Sequence, residues 1–218
     1  MKSKSCLIIT GGRADTDFAR EFVKNRTWDI MIAADAGLVL FDLLGICPDI
    51  VVGDLDSAGQ SLVQKYRNKD SIRFEVHRPE KDETDTELAL RLALREGCLN
   101  ADILGALGGR LDHELANIQL LSMYQDLGLT GFLYDPINRI HMVRSGEEFH
   151  RGAVWGKYIS FIPLSEQVSG VTLKGFKYPL TDCDVRMGSS LMVSNELAGE
   201  QGEIVFSSGR LLCVESHD

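Results

Sequence analysis

The chain lacks several features that would fix its class at a glance. It has no C-x-x-C pair: Cys6, Cys47, Cys98, Cys183 and Cys213 are odd in number and widely spaced. That is the pattern of reduced thiols, and it offers neither a disulfide framework nor a zinc site. It has no long apolar run either, because aspartates interrupt the richest region, residues 30–52; no membrane span is expected. The opening MKSKSCLIITGG has too short an apolar stretch, and no small-residue cleavage site, for a secretory signal. A cytoplasmic protein is the expectation. Nor is there an excess of positive charge: the formal net charge is −9, which argues against a nucleic-acid-binding surface. Repeats and low-complexity segments are missing as well.

Familiar catalytic signatures are equally scarce. G-x-S-x-G and H-E-x-x-H do not occur, and no G-x-x-x-x-G-K-[ST] is present to make a P-loop. The Gly-rich TGGRAD at 10–15 lacks the G-x-G-x-x-G dinucleotide spacing. Only two tryptophans, Trp28 and Trp155, are available, and both read as core or interface residues.

What remains is an ordered alternation. Short apolar runs at 5–10, 29–34, 49–53, 72–76, 101–107 and 131–135 read as strands. Between them lie helical patterns, with Leu88, Ala89, Leu92 and Ala93 at helical spacing and likewise Leu115, Ile118 and Leu121. Strands alternating with helices predict an α/β fold with a mainly parallel, Rossmann-like sheet and helices on both faces. Past Pro136 and Asn138, a turn signal, the pattern changes. RIHMVRSG, KYISFIPLS, GVTLKGF, SLMVSN, GEIVFSSG and RLLCVES are strand-like and separated by turn residues. A small all-β domain is predicted there, giving boundaries of 1–136 and 137–218.

In an open parallel sheet, ligands bind beyond the carboxyl ends of the strands. Reading only those exits gives TGGRAD, ADAG, GDLDS, HRPEKDETD and GALGGRLDH, whereas the opposite edge carries ordinary turns such as LGICPD and REGCLN. In GDLDS, an extended i, i+2 pair would point Asp54 and Asp56 to one side, as suits Mg²⁺ shared with a phosphate. The same stretch is also consistent with a capped turn leading into a helix. Thr84 and Glu87 predict a capping box, with Asp85 at the first helical position. That leaves Asp82, Lys81 and Arg78 of the same loop unexplained, and acids mixed with bases suit a metal–phosphate site. Gly108 and Gly109 allow close backbone approach to an anion, Arg110 can grip it, and Asp112 reads as the N-cap of the following helix. His113 reads as a first-turn surface residue. Taken together, this edge points to Mg²⁺-dependent phosphate chemistry, and the residues alone stop at that class.

Five elements in this order, ADAG, PDIVVGDLDS, KDETD before a helix, GGRLDHELAN and the late SNE at 194–196, resemble the thiamine pyrophosphokinase family. The resemblance spans almost the whole chain. It implies transfer of pyrophosphate from ATP to the hydroxyl of thiamine, giving thiamine diphosphate and AMP, with Mg²⁺. It assigns Asp54, Asp56 and Asp85 to the metal, with Asp82 beside them in the Mg²⁺–ATP site. Asp35, Arg110, Gly108 and Gly109 fall to the nucleotide and its phosphates. Asp112 falls to thiamine and the reacting hydroxyl, and Ser194 and Asn195 to thiamine's aminopyrimidine. It also implies a nucleotide-binding α/β domain, a thiamine-binding β-sandwich and a homodimer. Ala36 stands where the family often has glycine, and no tryptophan lies near SNE. Two other readings share the same residues: a transferase for another small alcohol, and a non-catalytic nucleotide or thiamine sensor.

Overall fold

The computed structural model describes residues 3–78 and 82–218. The chain divides into two compact units, Met1–Pro136 and Ile137–Asp218. Lys81 lies outside the described residues.

In the first unit the strands are β1 (Lys4–Ile9), β2 (Ile30–Ala34), β3 (Ile50–Gly53), β4 (Arg73–Val76), β5 (Cys98–Leu104) and β6 (Thr130–Tyr134). They lie in the order β4-β3-β2-β1-β5-β6, with every neighbouring pair parallel. The helices are α1 (Thr16–Lys24), α2 (Gly37–Leu44), α3 (Gln60–Arg67), α4 (Asp85–Arg95) and α5 (Leu111–Asp126). From β1 the chain steps outward through β2 and β3 to β4, then returns across the sheet to β5 and β6. Right-handed crossovers therefore put α1–α3 on one face and α4 and α5 on the other. In keeping with this, α2 packs against both α1 and α3, and α4 packs against α5. The central strands are covered on both sides, which is why Cys6–Ile9 and Ile32–Ala34 read as unbroken apolar runs and are fully buried.

The reversal falls between β1 and β5. There Thr10 N donates to Leu104 O at 2.9 Å, after which the two exit loops leave in opposite directions. They stay so close that a Cβ on Gly12 would lie 2.1 Å from Gly105 O. Glycine at residue 12 is thus a packing requirement, and the crevice beyond it is the switch point of the sheet.

The second unit holds β7 (Asn138–Met142), β8 (Glu147–His150), β9 (Tyr158–Pro163), β10 (Gln167–Lys174), β11 (Leu180–Arg186), β12 (Gln201–Val205) and β13 (Leu211–Ser216). Antiparallel β7-β13-β9 and antiparallel β11-β10-β12-β8 form its two sheets. A shared core including Val171, Ile204 and Leu211 fills the space between them. Phe149, Phe161 and Phe176 meet edge to face at its centre, with ring centroids 5.6, 5.9 and 5.6 Å apart.

Two strands escaped the sequence pattern, and one predicted strand is not there. β8 and β11 are the edges of the four-stranded sheet, and each is mostly charged or polar, as exposed edges tend to be. SLMVSN forms turns instead of a strand. Its Met192 and Asn195 are buried, but Ser194 takes φ 56°, which breaks any ladder. The segment meets β9 through isolated bonds, with Phe161 N donating to Met192 O, Ile159 N to Asn195 O and Ser194 N to Ser160 Oγ.

Candidate active site

The exit of β3 turns more sharply than the sequence suggested. Asp54 and Asp56 are not an extended pair, because Leu55 between them is left-handed at φ 65° with its side chain buried. That turn leaves Asp54 Oδ1 to accept from Asp56 N at 3.2 Å, while Ser57 Oγ donates to Asp56 Oδ1 at 2.8 Å. At the neighbouring exit of β2, Asp35 is also left-handed, at φ 46°, and its N–H is tied to Val52 O at 2.8 Å. Non-glycine residues in this region cost about 1–3 kcal/mol each, so two in adjacent loops mark a site held against local preference.

The result is a carboxylate cluster. One oxygen each from Asp35, Asp54 and Asp56 lies within 4.8 Å of the others. Asp35 is only 8% exposed, and its Oδ1 has no hydrogen-bond partner among the described residues. Burial raises its carboxyl above the ordinary range, and the nearby Asp85 and Asp54 carboxylates add to the effect. An orphaned buried oxygen among like charges is suited to a hard cation with oxygen ligands.

At the next exit, Thr84 caps α4 as its sequence predicts, with Oγ1 accepting from Glu87 N at 3.2 Å. Asp85 opens the helix. Glu83 and Glu87 both pair with Arg91, at 2.7 and 3.2 Å. Asp82 is exposed, as is Arg78.

The β5 exit supplies the third wall. The N-cap of α5 is Arg110, not Asp112, and its side chain makes no cap bond. Asp112 sits in the first turn instead, where Arg110 grips it through Nε at 3.1 Å and Nη2 at 2.6 Å. That fork holds the Asp112 carboxyl down to about 2. Gly109 N donates to Glu114 Oε1 at 2.5 Å, and Gly108 is left-handed at φ 79°. Asn117, which the sequence reading passed over, is buried and donates from Nδ2 to Ala106 O at 2.9 Å, pinning the glycine loop to α5. The available signal was a polar residue at helical spacing on the inward face.

These loops enclose a cavity of about 650 Å³ within the first unit. Asp35, Asp54, Glu83, Asp85 and Glu114 line it, against a single Arg110 among the described residues. A polyphosphate entering this cavity would meet net negative charge unless cations accompanied it.

Comparison with known proteins decides the family. The thiamin pyrophosphokinase catalytic domain family matches residues 22–130, and the thiamin pyrophosphokinase vitamin B1 binding domain family matches residues 138–211. Thiamine pyrophosphokinase of Bacillus subtilis (strain 168) is 39% identical over 217 residues, covering 99% of this chain and 100% of that protein. The chain belongs to the thiamin pyrophosphokinase family. The crystal structure of thiamine pyrophosphokinase from Bacillus subtilis superposes with a TM-score of 0.84, at 33% identity over 99% of this chain and 100% of that one. That of thiamin pyrophosphokinase from Geobacillus thermodenitrificans gives 0.82, at 31% identity over 98% of each chain.

As a thiamin pyrophosphokinase family member, the chain brings Asp54 and Asp56 together with Asp35, while Asp85 and Arg110 line the same cavity. In the second unit, Ser194 is exposed and left-handed, and its N–H donates to Ser160 Oγ at 2.9 Å. Asn195 is buried and committed to its own backbone neighbours. Its Oδ1 accepts from Tyr178 N and Glu196 N at 3.0 and 2.9 Å, and its Nδ2 donates to Tyr178 O at 2.9 Å. No helix among the described residues is long and apolar enough to cross a membrane.

Proposed function

We propose that the chain transfers pyrophosphate from ATP to the hydroxyl group of thiamine, yielding thiamine diphosphate and AMP, with Mg²⁺ as the metal. The observation that carries the metal part of this reading is the trio Asp35, Asp54 and Asp56 at the exits of β2 and β3, with a buried Asp35 oxygen that has no hydrogen-bond partner among the described residues. Family membership supports the choice of substrates. Asp35, Asp54 and Asp56 would hold Mg²⁺, with Asp85 and Asp82 on the loop facing the nucleotide. Bound there, Mg²⁺ supplies charge neutralisation for phosphate oxygens.

The remaining work falls to the chain's own groups, and it is mainly alignment. Gly108 and Gly109 leave the backbone open to an anion, and Glu114 must release Gly109 N for that donor to serve a phosphate. Arg110 has five donors and spends only two on Asp112, so it can face a phosphate while keeping its partner. Asp112, held down to about 2, is a weak base at neutral pH and acts as an acceptor that orients the thiamine hydroxyl. Ser194 would contact the aminopyrimidine, and Asn195, whose side chain is spent on Tyr178 and Glu196, would hold the turn that presents it. A homodimer, a cytoplasmic location and the division into a nucleotide domain (1–136) and a thiamine domain (137–218) complete the reading.

The test is product identification by phosphorus NMR with ATP, thiamine and Mg²⁺. AMP and thiamine diphosphate are the expected products, and EDTA abolishes their formation. ADP as the sole nucleotide product would overturn the pyrophosphoryl assignment.

A further inference from the structure

Far from the aspartate cluster in sequence, the second unit buries a different set of metal-binding side chains. In the β7–β13 register Cys213 lies opposite His141, and Glu215 lies opposite Arg139. Because successive side chains alternate, this places all four on one face of the pair. His141 is 3% exposed, and Cys213 and Glu215 are 0% exposed. One donor atom from each of His141, Cys213 and Glu215 lies within 4.8 Å of the other two.

We propose that His141, Cys213 and Glu215 form a buried site for a borderline-soft divalent cation, zinc by its donor set. An imidazole nitrogen, a thiolate and a carboxylate are the ligands of protein zinc, whereas the all-oxygen cluster of the first unit suits a harder ion. The surroundings are also those of a metal site. Glu147 Oε1 lies 2.6 Å from His141 Nε2, which orients the ring so that Nδ1 faces Glu215 Oε1 at 3.9 Å. A carboxylate bonded to the far nitrogen of a ligating histidine is the usual outer-shell arrangement, and it raises the basicity of the ligand. Glu147 is itself steadied by Arg144 N at 3.0 Å. Glu215 is fixed by Arg139 through Nε at 2.7 Å and Nη2 at 2.6 Å, and by Trp155 N at 2.8 Å.

The charges favour the same reading. Two carboxylates, Glu147 and Glu215, meet the single guanidinium of Arg139 here. Cys213 is fully buried beside these groups. A divalent cation would displace the thiol proton to solvent, with a sulfur–metal bond replacing the S–H bond, and would add positive charge beside the two carboxylates. Donors around tetrahedral zinc lie about 3.3–3.8 Å apart, given bonds of about 2.0–2.3 Å, so the trio must close by only about 1 Å. Such a closed site loads as the chain folds and exchanges slowly.

The test uses the full chain, unfolded in chelator and refolded with zinc or with cobalt(II). Zinc should remain at one ion per chain after gel filtration in EDTA. Cobalt should give a thiolate-to-metal charge-transfer band that is absent from Cys213→Ser. Should that variant fail to fold, Glu147→Gln, which keeps all three ligands, should weaken zinc binding about 10–100-fold. Refolded wild-type protein without retained zinc overturns the proposal. So does a cobalt band that persists in Cys213→Ser, or zinc affinity unchanged in Glu147→Gln.

Discussion

The chain gathers carboxylates in two places and treats them in opposite ways. In the first unit, Asp35, Asp54 and Asp56 meet at strand exits, beside a cavity whose lining carries five carboxylates and one arginine among the described residues. In the second unit, Glu147 and Glu215 are bound to His141 and Arg139 between two sheets, with Glu215 fully buried. One cluster is bordered by more acidic than basic side chains among the described residues. The other is closed and largely compensated by the fold. Carboxylates gathered on left-handed loops at neighbouring strand exits, against local backbone preference, mark a site for an incoming charged ligand. Compensated ones hold sheets together, and further chemistry among them must come from a donor such as Cys213 that the ion pairs do not consume.

Changes at each cluster can break or sharpen this contrast. Asp54→Asn should lower turnover by about 10²–10³-fold with little change in denaturant midpoint; activity near wild type would remove Asp54 from the metal site. Arg139→Gln should leave activity groups untouched but strand Glu215 as a buried unpaired charge. The expected cost is about 3–5 kcal/mol in urea unfolding, and a loss below about 1 kcal/mol would mean that the second cluster is not compensated as described.

The third change carries a pH dependence. Asp35 has a raised folded-state pKa, so folding makes it bind its proton more tightly. For such a group, stability is present below its ordinary value of 3.8 and is lost as pH rises through the raised folded value. Metal-free Asp35→Asn should therefore melt slightly higher than wild type at neutral pH, since asparagine tolerates the left-handed backbone. It should also lose the stabilisation that added Mg²⁺ confers. A lower melting temperature without metal would show that the carboxylate is compensated after all. The smallest effect belongs to Ser57→Ala, which removes the donor to Asp56 and a hydroxyl bond to the Asp35 carboxylate. The Mg²⁺ needed for half-maximal activity should rise several-fold at nearly constant melting temperature, and an unchanged requirement would exclude Ser57 from positioning the cluster.

Legibility in the sequence followed burial. Strands buried on both faces, such as Cys6–Ile9, announce themselves as apolar runs, and helices covering them show periodic leucines and alanines. Edge strands β8 and β11 bury few side chains, so LTDCDVR and EEFH carry no readable alternation. SLMVSN failed in the other direction: its apolar run looks like a strand, but it lies on turns, with only Met192 of that run buried while Leu191 and Val193 are exposed. At the site, Asp54 and Asp56 were visible as charges emerging from an apolar run. Their geometry was not visible, because a left-handed Leu55 has no signature in a leucine. Asp112 looked like a cap because it precedes a helix pattern, yet α5 begins one residue before it.

The sequence by itself determined the order of strands and helices, the change of architecture after residue 136 and the row of acidic and Gly-rich strand exits. All of these are local, written in spacing and composition along a few residues. Only the tertiary structure decided that Asp35, from another loop, joins Asp54 and Asp56 while Asp85 lines the same cavity, and that His141, Cys213 and Glu215 converge. Those groupings depend on which strands are neighbours and in what register, and that is set by the whole hydrophobic core.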